Sequence, residues 1–180
     1  MSRIEAILAE LNSEHDAFVA ALEAVDLELV TAPGVVEDWS VRDLVVHVAF
    51  WAEHGTAAIG LAGNGRGDEF AYGTDQTDAM NARLLVESRQ TTPAAALERE
   101  EHAFEALISA IVDLDPALLD LRLGNGDTVA EVIGYDGAEH YREHTAHLRA
   151  WFDDAEDEGE GEDEGGGEDE LGSAAADDRD

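Results

Sequence analysis

Apolar residues in this chain recur every three or four positions in four separate runs, and each run is preceded by a helix-start signal. The first run is Ile4, Leu8, Leu11, His15, Phe18, Leu22 and Val25. That spacing places every member on one face of an α-helix. Ser2 and Glu5 form a capping-box pattern, so a helix is predicted from about Arg3 to Val25. Ser40 and Asp43 repeat the signal ahead of Leu44, His47, Trp51, His54 and Ala58. The third unit is predicted in two pieces, Asp75 to Ser88 behind a Thr74 cap, and a second piece capped by Thr92 with Leu97, Phe104, Ile108 and Ile111 inward. Pro93 suits the first helical position of that piece, because its fixed φ is already helical. Thr128 and Glu131 open the fourth run, whose stripe is Val129, Ile133, Asp136, His140, His144 and Trp151, ending near Phe152. Turn-rich stretches separate the runs: APGVVEDW, GLAGNGRGDEFAYG and the Leu-Gly-Asn-Gly at 123–126. No segment alternates at period two. The fold class is therefore all-α, a four-helix bundle over 1–152.

Charge constrains the environment. The formal net charge is -33, and all ten basic residues are arginine. Fifteen of the 43 acids lie in 153–180, a Gly-rich acidic stretch expected to be a disordered tail. The rest of the charge sits on the bundle. Such self-repulsion opposes compaction unless it is screened, so a halophilic host is expected. A basic cluster able to neutralise phosphates is missing, so the expectation is no nucleic acid partner, and no membrane surface for the same reason. The opening MSRIEAILAELNSEH carries acids where a signal peptide's apolar core would run, and VVHVAFWA is too short to span a bilayer. A cytoplasmic location follows as an expectation. There are no cysteines, which removes disulfides, thiolate metal sites and cysteine nucleophiles together.

The seven histidines are the candidates for chemistry. His140 and His144 are four apart on a predicted helix, which puts both imidazoles on one face, able to converge on one ion. His47 lies on the inward stripe of the second helix and could be a third ligand, clamping two helices together. Three imidazoles leave a position open, where an ion can polarise a substrate or acidify a bound water toward about pH 7. The same histidines could instead be packed core residues. Of the others, His54 could line a pocket mouth and His147 could support or replace a ligand. His15 reads as a satisfied core histidine and His102 as solvent-facing. Asp136, one turn before His140, could accept the second N–H of a ligand ring. A di-iron site is excluded, since no histidine has Glu three residues before it. HExxH, a phosphate loop and a GxSxG elbow are also missing.

WSVRDLVVHVAFW (39–51), TDAMNARLLVESR (77–89, with Asn81) and EHYREHTAHLRAW (139–151) resemble, in order and spacing, the DinB/YfiT-like superfamily over about residues 3–152. The resemblance implies up-down-down-up topology and a three-histidine site for zinc, nickel or another divalent ion, with His47, His140 and His144 as ligands by motif position. Some members are thiol-dependent transferases or isomerases; others, in the ClbS/DfsB branch, act on reactive electrophiles. The His140-Tyr141 pair and Trp151 are similar to that branch. His144 is less typical of it, and His147 stands where many relatives have Gln. With no cysteine here, any thiol would be a low-molecular-weight cosubstrate. Relatives often form homodimers.

Three functions follow as expectations. The first is a metal-dependent enzyme acting on a small electrophilic substrate by thiol transfer or hydrolysis. The second is a non-catalytic bundle that binds or sequesters a small molecule. The third is a structural module whose histidines only pack. The charge argument gives the first prediction. Lowering salt from about 1 M to about 0.01 M lengthens the Debye length from about 3 to about 30 Å. Helical circular dichroism should fall in parallel; full helicity in dilute buffer would contradict it.

Overall fold

The computed structural model describes residues 1–160. The expected tail boundary is therefore only partly in view: the last helix is described to Glu160, and 161–180 lie outside the described residues. The main helices are α1 (Arg3–Glu23), α2 (Val41–Gly63), α3 (Thr77–Ser88), α4 (Pro93–Val112), the short α5 (Val129–Ile133) and α6 (Glu139–Glu160). The fold is the expected all-α bundle, with α2 packed along α4 and α1 along α6.

The local signals explain where α1, α2, α4 and α5 start; α3 begins at Thr77 with no side-chain cap, after a 3-10 turn at Thr74–Gln76 in place of the expected Thr74 cap. Ser2, Ser40 and Thr128 each close a capping box with Glu5, Asp43 and Glu131, satisfying backbone N–H groups the first turn leaves free. Thr92 caps α4 ahead of Pro93. Asp43 does more than cap. At 3% exposure it accepts hydrogen bonds from the Ser40 and Ser88 hydroxyls at 2.7 and 2.6 Å, which ties α2 to the end of α3.

Helix α2 is the centre of the bundle. Fourteen of its residues are buried, on all sides of the helix. Its length and an 18-residue window of mean hydropathy 1.2 would suffice to cross a membrane, but 61% of that window is buried inside the fold. Its apolar surface is used to build the core.

Three departures from the sequence reading matter. The APGVVEDW stretch contains a small antiparallel hairpin, β1 (Pro33–Val36) with β2 (Trp39–Ser40). Its two-residue turn holds Glu37 at φ 51, a conformation this type of tight turn demands. The buried face of α4 is Ala96, Glu100, Ala103, Leu107 and Ile111, and Leu97 is 47% exposed instead of inward. That face includes an acid because Glu100 accepts the Tyr141 hydroxyl proton at 2.7 Å and lies 3.2 Å from His15 Nε2. Finally, the fourth predicted helix is interrupted. A π-type segment at Gly134–Ala138 separates α5 from α6, with Gly137 at non-helical φ -116, ψ -109. The extra residue in that turn re-aims the side chains on either side of it.

The loop at 121–128 forms part of the cleft wall and is held by a close backbone approach. Gly124 N–H donates to Gly67 O at 2.9 Å, and a Cβ at position 124 would lie 2.1 Å from the Asp68 carbonyl oxygen. Backbone cannot swing aside as a side chain can, so Gly124→Ala is expected to cost about 1–3 kcal/mol, read as a lower urea midpoint with an unchanged slope.

Candidate metal centre

His47 comes from the second turn of α2, and His140 and His144 from the first turns of α6. Their Nε2 atoms point at one another. His140 Nε2 is 2.8 Å from His47 Nε2 and 3.0 Å from His144 Nε2, and the ligand atoms of all three lie within 4.8 Å of each other. Tetrahedral ligation at about 2.0–2.1 Å spaces nitrogens by about 3.3 Å, so little movement separates this arrangement from a coordination shell. Three imidazole nitrogens gathered this closely cannot all be satisfied by each other's protons. A cation would satisfy all three at once. These three histidines could hold a metal ion.

Burial sets their protonation. His47 and His144 are 5% and 7% exposed. Loss of water pushes the His47 pKa down to about 3, helped by neighbouring His140. The same cause lowers His140 to about 4. His144 is depressed too, by burial first and then by His140, His47 and His147. All three are thus neutral, the ligating form, at ordinary pH. Outer contacts orient the rings. His140 Nδ1 lies 3.3 Å from the Tyr135 carbonyl and His144 Nδ1 lies 3.2 Å from His147 Nδ1. Trp39, carried by the hairpin, sets its edge against the His47 ring at 5.0 Å.

The expected Asp136 contact is not with a ligand ring. The π-type turn sends Asp136, 2% exposed, to His54 instead, where Oδ2 meets Nδ1 at 2.7 Å. Gly55 makes room for it: a Cβ there would come within 3.2 Å of Asp136 Cβ. Burial raises the Asp136 pKa to about 6, with the His54 hydrogen bond pulling the other way. His54 sits on the α2 face two turns from His47, so its place in the cleft was readable; its partner was not, because a regular helix puts Asp136 elsewhere. His15 stacks on Phe104 at 3.5 Å, but among the described residues its Nε2 has no hydrogen-bond partner, so it is not the satisfied core histidine expected; His102 is exposed, as expected.

The triad lines a cleft of about 980 Å³, whose lining also includes Trp51, His54, Tyr72, Asn81, Tyr135 and Asp136. Among the described residues, five buried polar atoms on this lining have no hydrogen-bond partner: His47 Nδ1, Trp51 Nε1, His54 Nε2, Tyr72 OH and Asn81 Oδ1. Buried polar groups are normally paired, so their concentration here marks a place for a polar ligand or ordered water.

Residues 11–157 match the family described as "Mycothiol maleylpyruvate isomerase N-terminal domain". No protein of curated function matches the sequence. Two crystal structures share the fold. An uncharacterised protein from Escherichia coli UTI89 aligns with TM-score 0.73 and 15% identity over 85% of this chain and 94% of its own. The colibactin self-resistance protein ClbS, in complex with a dsDNA, aligns with TM-score 0.71 and 17% identity over 85% of this chain and 97% of its own. That complex overturns the expectation of no nucleic acid partner. Net charge is summed over a whole chain, whereas phosphate contacts are local and are made by single arginines, neutral side chains and backbone N–H groups as well.

The pKa shifts predict how stability depends on pH. Each histidine of the triad has a folded pKa below its unfolded 6.5. Its stabilising contribution is whole above about pH 6.5 and is lost as pH falls toward the folded values. Asp136, raised from 3.8 to about 6, works in the opposite sense between those values, but it is one group against three. At about 1 M salt, where carboxylate repulsion is screened, chelator-treated protein should show a falling urea midpoint from pH 7 to pH 4; a midpoint that rises over that interval would contradict neutral, buried histidines.

Proposed function

Because the chain belongs to the mycothiol maleylpyruvate isomerase N-terminal domain family, within the DinB/YfiT-like superfamily and near its ClbS branch, we propose that it is a divalent-metal-dependent enzyme that joins a low-molecular-weight thiol, or water, to a small electrophile. The observation that carries this reading is the meeting of the three Nε2 atoms in the lining of the cleft. His47, His140 and His144 would hold the ion. An imidazole donor set suits zinc or nickel better than magnesium or calcium, which prefer oxygen. When bound, such an ion supplies Lewis acidity at a position the protein leaves open.

The chain's own residues supply the rest. With no cysteine in the sequence, the thiol must enter as a cosubstrate. Trp39 and Trp51 wall the cleft beside the triad and keep bulk water from it. Asp136 takes the Nδ1 proton of His54 as a hydrogen bond, which leaves Nε2 as the basic nitrogen, the atom suited to hold a proton released by the attacking group. We place this chemistry in the cytoplasm of a halophilic host. Duplex DNA joins the partner classes through the ClbS complex; its phosphates would meet exposed arginines such as Arg83 and Arg89.

Elemental analysis of protein purified without an affinity tag should find about one zinc or nickel per chain. His144→Ala should lose the metal and lower turnover of a thiol–electrophile pair by at least about a hundredfold, on the order of what disturbing a metal centre costs. Metal retention with binding but no turnover would favour a sequestering bundle. Metal-free native protein that fails to take up zinc would sink the proposal.

A further inference from the structure

The cleft has a charge character that the family description does not suggest. Six carboxyl residues line it, Glu37, Asp75, Asp78, Asp127, Asp136 and Glu143, and among the described residues no arginine or lysine does. Its walls are aromatic. Two of the chain's three tryptophans, Trp39 and Trp51, and two of its three tyrosines, Tyr72 and Tyr135, face it. Acids alone would be unremarkable in so acidic a chain. The second observation is Trp51, which is only 5% exposed yet leaves its indole N–H without an acceptor on this lining. That donor, with the unpaired Tyr72 hydroxyl, fits a carbonyl or hydroxyl oxygen on a ligand.

Resting on the proposed function, we infer that the electrophile this cleft accepts is cationic, an ammonium- or amidinium-bearing compound with a carbonyl or hydroxyl oxygen, and not a carboxylate. Electron-rich ring faces attract a cation within about 6 Å of their centroids. Carboxylates at the mouth add Coulomb attraction, strongest where apolar walls lower the local dielectric. The sign survives the obvious corrections. With Asp136 protonated and a divalent ion on the triad, the remaining five carboxylates still leave the lining net negative. Maleylpyruvate, the substrate in the family's description, bears two carboxylates and would be repelled along the way in. The inference concerns the cleft alone and leaves duplex DNA to the outer surface.

Three probes of matched shape test it: phenethylammonium, phenethyl alcohol and hydrocinnamate. Their binding is measured by calorimetry on the protein as purified and after chelator treatment, at the lowest salt that keeps full helicity, with metal content determined on the same samples. Phenethylammonium should bind at least about tenfold more tightly than hydrocinnamate in both forms. Combining Asp75→Asn, Asp78→Asn and Glu143→Gln, all exposed positions, should erase most of that advantage and leave phenethyl alcohol unchanged. Equal or tighter binding of hydrocinnamate in either form overturns the inference. So does an ammonium that fails to bind saturably, or a preference untouched by the neutralised lining. Absence of metal or turnover would instead sink the enzyme reading, while the ammonium preference stays measurable on the chelator-treated protein.

Discussion

Three uncharged imidazoles held at one point between two helices are the constraint to which the rest of the bundle is fitted. A protonated imidazole there would face two others at 2.8 to 3.0 Å with little water to screen it. Burial prevents this by depressing all three pKa values. The burial in turn requires α2 to be covered on every side, which α4, α3 and α6 provide. The hairpin adds to it, packing Trp39 against the His47 ring at 5.0 Å. The group that keeps the triad dry is thus the same packing that keeps the bundle folded.

Much of this was legible in the sequence, for specific reasons. Capping boxes at Ser2, Ser40 and Thr128 are local chemistry, complete within four residues, so they were readable without tertiary information. His140 and His144 follow from helical period alone. That His47 meets them depends on how two helices pack, which period does not determine; there the family resemblance supplied what spacing left open. Core positions on α1 were readable because its apolar stripe is unambiguous. Those on α4 were not, because small residues, Ala96 and Ala103, hold the inward face and Glu100 shares it. Hydrophobicity ranks Leu97 above all of them, but a helix lying close against α2 needs small side chains at the contact.

The features that were not legible all depend on partners distant in sequence. Glycines at 134 and 137 mark a weak point in a helix but do not announce a π-type turn, and without that turn Asp136 cannot be matched to His54. The hairpin is too short to show alternation. The nucleic acid expectation failed for a different reason: it read a sum as if it were a surface. ClbS shows that this fold can meet duplex DNA, and a whole-chain charge carries no information about one face of a molecule.

The charge itself is organised. Arginine, with its planar fork, binds carboxylates through two parallel hydrogen bonds. Arg99 grips Glu53 with two 2.8 Å contacts and reaches Glu87, joining α4 to α2 and α3. Arg142 reaches Glu10 and Glu14, joining α6 to α1. Exposed pairs of this kind are each worth at most about 1 kcal/mol, so they orient helices more than they stabilise them. The unpaired acids remain for solvent and its cations. An acid-covered protein that is to hold one particular ion must then distinguish it from the hard cations crowding its surface. Oxygen ligands would not discriminate, whereas three buried nitrogens would. With nitrogen donors in a dry interior and carboxylates outside, the bundle could separate the two kinds of cation by ligand chemistry.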